Sequence, residues 1–226
     1  MRFFSNLFKQ DSQLHPVDFR TFIKSNNPVI FEIGCNDGTH TLEFLEAFSS
    51  GRFYCFEPDP RAAARFQQKV KSSQVSFFPF AIGSVDGTAN FFASGGNPLD
   101  KPDPNFPEDW DLSGSIHPPF RHLDQTPKVT FTELGKIPIR RLDSITKELG
   151  LRRIDLIWAD VQGAEADLIC GGRQTLNTTD YFFTEYSDHE LYAGQINLHQ
   201  IRALLPGFKL VKKLPHDALF QNRNLF

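Results

Sequence analysis

Apolar residues recur along this chain in two rhythms: short unbroken runs and longer stretches at helical spacing. The first run, Val29–Ile33, stops at Gly34, and Leu42, Leu45 and Phe48 then follow at helical spacing from Thr39. A second run, 53–56, stops at Glu57, and Pro58-Asp59-Pro60 opens a helix over 61–70. The pattern predicts a third strand over 75–82, closed by Gly83, and a hairpin turn at Asp86-Gly87 into a strand over 89–93. Strand 137–142 leads through Asp143-Ser144 to a helix ending near Leu149. Residues 154–158 form a near-continuous apolar strand, as expected where both faces are covered. A helix over 165–176, a strand over 181–184, a helix over 198–205 and two strands, 208–214 and 218–221, complete the series. Before all of these, Phe19, Phe22 and Ile23 mark a short amphipathic helix over 18–25.

Strand and helix alternate, and the chain closes on a strand pair. That order predicts an α/β fold with a doubly wound, mostly parallel sheet and a C-terminal antiparallel pair. At 226 residues it reads as one domain, with an N-terminal helical segment, 1–27, and an insertion, 94–136. Residues 98–127 hold nearly half of the 15 prolines, which rules out a long helix or a central strand there. Phe106, Trp110, Ile116 and Phe120 within it suggest a lid that packs.

Composition narrows the classes. An apolar content of 40%, with 24 phenylalanines, supports a substantial core and excludes a disordered chain. A formal net charge of −3 gives no electrostatic case for nucleic acid. No run reaches the roughly 18–20 apolar residues of a membrane span. The first nine residues lack the sustained apolar core of a signal peptide. Phe3, Phe4, Leu7 and Phe8 fit a packed or frayed helix, with peripheral membrane contact as the alternative. Cys35, Cys55 and Cys170 form no C-x-x-C, so reduced thiols, a cytoplasmic setting and no metal cluster are expected.

The candidate chemistry sits where strands end. Gly34-Cys35-Asn36-Asp37-Gly38 turns a strand into a helix, and such a turn sets backbone N–H groups beside a concave edge suited to a nucleotide. Glu57 falls about 20 residues later, where a carboxylate accepts from ribose hydroxyls. Asp160, in Asp160-Val161-Gln162-Gly163-Ala164-Glu165, follows the fourth core strand and so faces the ligand crevice. As plain structure, Asp160 and Glu165 would instead be a cap and a first-turn charge. Ser113-Gly114-Ser115-Ile116-His117 is either a substrate contact or an ordinary turn.

The pattern Glu32-x-Gly34-x-Asn36-x-Gly38 lacks the G-x-G-x-x-G of dinucleotide enzymes and resembles the S-adenosylmethionine turn of class I methyltransferases. With Phe56-Glu57-Pro58, Arg141-Leu142-Asp143-Ser144-Ile145 and the stretch from Ile154 to Glu165, it resembles the FkbM family of methyltransferases, from about Val29 to Asn222. The family often has lysine where Trp158 stands, and glutamate where Gln162 stands.

The resemblance implies a Rossmann-like class I sheet and methyl transfer to oxygen, on a sugar, glycan or natural-product hydroxyl. It implies S-adenosyl-L-methionine held by Glu32, Gly34, Cys35, Asn36, Gly38, Thr39, Glu57, Pro58, Ala81, Ile82 and Asp160. Glu32 would order the donor's amino group. An acceptor alcohol must lose its proton, and Asp160 leads the candidate bases, followed by His189 and His117. The rivals are a metal-dependent enzyme using Asp160, Glu185 and Asp188-His189, and a non-catalytic nucleoside-binding protein. A short-chain dehydrogenase is excluded, since no tyrosine has a lysine four residues on.

Overall fold

The computed structural model describes residues 13–99 and 109–226. Phe3, Phe4, Leu7, Phe8 and Phe106 therefore lie outside the described residues. Strands β1 (Val29–Ile33), β2 (Arg52–Phe56) and β3 (Val75–Phe78) pair in parallel, as do β7 (Ile154–Ala159) and β8 (Thr179–Glu185). The last two, β9 (Phe208–Lys213) and β10 (Asp217–Asn222), are antiparallel. Together they form one seven-stranded sheet in the order β3-β2-β1-β7-β8-β10-β9. The order reverses beside β1, and that switch point is where a doubly wound sheet opens a crevice.

Alternate residues of one strand feed opposite layers. Phe31 and Ile33 join Ile157 and Phe182 on one face, while Ile30 joins Phe44, Trp158 and Phe183 on the other. Both faces being covered explains why these strands read as unbroken apolar runs. Helix α1 (Thr39–Ala47) follows β1, and α2 (Pro60–Lys69) follows β2. Asp59 starts α2 by accepting from the Arg61 N–H at 2.8 Å, with Pro60 at the first helical position.

Several expected elements differ. The helix over 18–25 is a 3₁₀ turn, Pro16–Thr21, because Pro16 begins it and Asp18 closes a reciprocal cap with His15. The strand over 75–82 is two strands, since Pro79 lacks the N–H to continue a ladder. Its second half, β4 (Ala81–Gly83), joins β5 (Gly87–Gly96) and β6 (Val129–Arg141) in a second sheet ordered β4-β6-β5. There is thus no β4–β5 hairpin. Asp86 instead accepts from the Arg141 N–H at 2.9 Å and the Ser144 hydroxyl at 2.6 Å.

β6 reaches back into residues assigned to the insertion; its outer half is polar because that ribbon is solvent-facing. Between β5 and β6 lies α3 (His122–Gln125), and α4 (Leu142–Glu148) follows β6. The helix over 165–176 is also two, α5 (Glu165–Gly171) and α6 (Arg173–Asn177). A Cβ on Gly171 would stand 2.0 Å from the Gly83 carbonyl, so only glycine at 171 lets α5 lie this close to β4. Helix α7 (Leu198–Leu204) precedes β9. Among the described residues, no helix is long and apolar enough to cross a membrane.

Candidate active site

A cavity of about 730 Å³ opens at the carboxyl ends of β1, β2, β7 and β8, and the segment between β5 and β6 covers it. Its size is that of a pocket for a drug-sized ligand. Gly34 is the pivot: its φ is +86°, and a Cβ there would lie 1.9 Å from the Asp160 carbonyl oxygen. Only glycine lets the two loops meet.

The turn does not offer free N–H groups, contrary to the sequence expectation. Gly34 and Cys35 donate to the Phe56 carbonyl at 2.9 and 3.1 Å, and Gly38 donates to the Cys35 carbonyl. Asn36, Asp37 and Thr39 donate to the side chains of Glu57, Asn36 and Asp37. Each of these donors is used within the loop or by the end of β2, so the turn is no anion cradle. Asn36 is held at φ +43°, a conformation uncommon outside glycine.

Glu57 is buried against the cavity wall. Its two oxygens accept from Asn36 N–H at 2.9 Å and Asp59 N–H at 2.7 Å, yet burial pushes its carboxyl up to about 8. Cys35, Asn36, Thr39, Pro58, Ala81, Ile82 and Asp160 line the same space.

Four expected site residues do not. Glu32 sits on the opposite side of β1, where its carboxyl accepts from Thr41 Oγ1 at 2.5 Å and from Cys55 Sγ at 3.8 Å. Burial pushes it up to about 8. Gly38 faces α2, and a Cβ there would stand 2.5 Å from Val70. His189 is exposed after β8, and His117 is engaged with Asp167 at 2.7 Å.

At the other end Asp160 is bound to Gln162, whose Nε2 donates at 2.6 Å to Asp160 and at 3.0 Å to Glu185. Tyr192 donates to Gln162 Oε1 at 2.9 Å and to the Ser113 carbonyl at 2.8 Å. Gln162 carries this network at φ +49°. Burial raises Asp160, and raises Glu185 well above its usual range. Glu165 is buried behind them with Oε2 unpaired, and burial pushes it up to about 7. Trp158, on the same strand, packs among Phe19, Phe44 and Phe183.

The cover is tied down from both sides. Arg65 of α2 pairs with Asp111, and Asn36 Nδ2 reaches the Asp111 carbonyl at 3.3 Å. Ser115 Oγ donates to the Gln162 carbonyl at 2.6 Å. The stretch 113–116 therefore lines the cavity rather than forming a detached turn. Sequence reasoning did not find Arg65, Asp111 or Tyr192, because each meets its partner across 30 residues or more. Acidic side chains outnumber basic ones around the space: Asp37, Glu57, Asp59, Asp111, Asp160 and Glu185 stand against Arg65. Among the described residues, no group of three or more His, Cys, Asp or Glu side chains is placed to hold a metal ion.

The methyltransferase FkbM domain matches residues 32–214 of the chain. The 2-O-methyltransferase NoeI of Sinorhizobium fredii is 43% identical over 210 residues, spanning 91% of this chain and 84% of that protein. Among solved structures, fibrillarin from Methanococcus jannaschii overlays with a TM-score of 0.49 at 11% identity, over 95% of this chain and 71% of that one. An rRNA methylase from Streptococcus thermophilus overlays with a TM-score of 0.48 at 8% identity, over 91% of this chain and 93% of that one.

Proposed function

The chain belongs to the FkbM methyltransferase family, and from that premise we propose that it transfers the methyl group of S-adenosyl-L-methionine to a hydroxyl oxygen of a sugar, glycan or similar small acceptor. The observation that carries this reading is one acid-lined cavity joining the β1–α1 turn and Glu57 to Asp160 under the cover. The residues present fit the donor. Glu57, on the cavity wall, would accept from ribose hydroxyls, and Gly34 lets the β1–α1 turn close against Asp160 so that both border one space.

Bound there, the donor supplies an already activated methyl group. The chain's part is then largely positioning, since reacting atoms must lie in line at about 3–3.5 Å. Ala81, Ile82 and Pro58 give the donor side an apolar wall, while Trp110, Ser113 and Ile116 shape the acceptor side and exclude water. The acceptor hydroxyl must also shed its proton, and Asp160 is the base, at the cavity's junction with both loops. On this reading residues 109–117 act as the lid, and the enzyme works in the cytoplasm with free thiols at Cys35, Cys55 and Cys170.

Titration calorimetry with S-adenosylhomocysteine, with NAD in parallel, tests the donor. Micromolar binding of the first alone is expected, and binding of NAD alone would overturn the reading. A screen of hydroxylated acceptors with Asp160→Asn then tests the base. The variant should fold and bind the product while losing about 10²–10⁴-fold in turnover; full activity would remove Asp160 from that role.

A further inference from the structure

Helix α3 stands in the cavity wall with its side chains arranged the wrong way round for packing. His122 and Gln125, three residues apart and so on one face, line the cavity, whereas Leu123 is 44% exposed. A helix that served only to fill space would bury its leucine and turn its amide outward. The N–H groups of Phe120 and His122 donate to the Leu191 carbonyl at 2.8 and 3.1 Å, which holds the helix in place. Tyr192, next in the chain, packs on the His122 ring at 5.5 Å between centroids and bonds Gln162, the partner of Asp160. The wall therefore adjoins the end of the cavity where Asp160 lies.

The contacts of His122 decide which ring nitrogen carries the proton. Thr126 Oγ1 lies 2.9 Å from the His122 carbonyl and 2.7 Å from its Nδ1. One hydroxyl proton serves only one of these partners. If it goes to the carbonyl, Nδ1–H donates to the hydroxyl and both contacts are hydrogen bonds. If it goes to Nδ1, two oxygens meet at 2.9 Å with no proton between them. Nδ1 is therefore the protonated nitrogen, and Nε2 carries a lone pair. Burial pushes the imidazole down to about 4, which keeps it neutral. Among the described residues, neither Nε2 nor the Gln125 amide has a hydrogen-bond partner. Glu165 Oε2 is the one sealed and unpartnered side-chain atom among them, so Nε2, on a residue 7% exposed, is reached from the cavity.

Resting on the methyl-transfer reading, we propose that α3 reads the acceptor: His122 Nε2 accepts from one of its hydroxyls, and the Gln125 amide exchanges hydrogen bonds with the next. The ligand this fits is a pyranose ring, whose adjacent hydroxyls each donate and accept. A bare nitrogen lone pair repels a carboxylate or phosphate oxygen at the same place, so the wall selects neutral hydroxyls over anions. A site built to bond a hydroxyl also rejects the analogue that lacks it, because its own buried nitrogen is then left unpaired. His122 and Gln125 are thus specificity-determining residues, and Asp160 remains the base for the reacting hydroxyl.

Long-range proton–nitrogen-15 correlation spectra of the full chain test the ring first. Wild-type His122 should show a protonated Nδ1 and a bare Nε2 across about pH 6–8; a ring protonated at Nε2 would overturn the proposal. Methyl glucopyranoside, methyl galactopyranoside and methyl mannopyranoside are then titrated, with and without S-adenosylhomocysteine. At least one should move Nε2 upfield, the direction expected when a bare nitrogen accepts a hydrogen bond, and one of its monodeoxy analogues should leave Nε2 in place. No movement with any of the three would sink the acceptor wall.

Two variants separate contact from packing. His122→Asn keeps a polar group where Nδ1 meets Thr126 and removes Nε2, while His122→Gln keeps a polar atom near the place of Nε2. The glycoside that moves Nε2 should bind His122→Asn about tenfold more weakly and His122→Gln within about threefold of wild type, as for the loss of one neutral hydrogen bond. Equal binding by His122→Asn and wild type would remove the contact. Failure of S-adenosylhomocysteine to bind the wild type would sink the methyl-donor reading instead, and movement of Nε2 by a glycoside would then leave the wall standing.

Discussion

Replacing Glu32 by glutamine separates two roles for one carboxyl group: holding the donor's ammonium, or sitting protonated inside the sheet. In the fold Glu32 is 2% exposed, accepts from Thr41 Oγ1 at 2.5 Å, and is pushed up to about 8 by burial. In the unfolded chain such a group titrates near 4.5. Above that pH, folding must take up a proton that the unfolded chain has released. The penalty is absent below about pH 4.5, grows as pH rises, and levels off above about 8, where the folded group ionises as well.

At 1.36 kcal/mol per unit, the wild type forfeits about 1 kcal/mol at pH 5 and about 4 kcal/mol at pH 8. Glutamine cannot titrate, and its carbonyl still accepts from Thr41. The stability of Glu32→Gln relative to wild type, read from urea unfolding, should therefore be about 3 kcal/mol more favourable at pH 8 than at pH 5. Parallel pH profiles for the two proteins would refute the argument, since they would mean the native carboxyl is ionised. The same variant should bind S-adenosylhomocysteine within about twofold of wild type. A tenfold loss in a folded variant would return Glu32 to the donor's ammonium.

Glu57→Ala should weaken S-adenosylhomocysteine binding by about 1–3 kcal/mol, the cost of leaving the ribose hydroxyls without their buried partner; unchanged calorimetric affinity would sink the ribose assignment. Gly34→Ala meets both a left-handed φ of +86° and the Asp160 carbonyl. It should cost about 2–4 kcal/mol in chemical denaturation and abolish product binding, and a stable, binding variant would show that the loops can part cheaply. Pairing with Asp167 raises the His117 imidazole. Its hold on the cover is thus present below about pH 6.5 and lost as pH rises through the raised value. Amide protection factors over 113–116, corrected for intrinsic exchange, should fall across that window in wild type, and pH-independent protection in His117→Gln is the matching control.

Each legible part of this molecule was written in neighbouring residues. Val29–Ile33 and Ile154–Ala159 announced parallel strands because both faces of the sheet are covered, leaving no polar alternation to confuse the pattern. Gly34, Glu57 and Asp160 stood out because they end such runs, and a strand's end is where a doubly wound sheet exposes side chains to its crevice. Glu32 misled for the opposite reason: within a strand, adjacent residues face opposite sides, and Glu32 shares its side with Ile30 rather than with Ile33. Glu185 stood at a strand end like Asp160, but that one Gln162 amide donates to both is visible only in the fold. Arg65–Asp111 and Tyr192–Ser113 span 46 and 79 residues. Chain spacing carries no trace of such pairs, because they form only after the insertion folds back over the sheet. The β1–α1 turn, Glu57 and Asp160 are local and could be read from the sequence; the cover over them is tertiary and had to be seen.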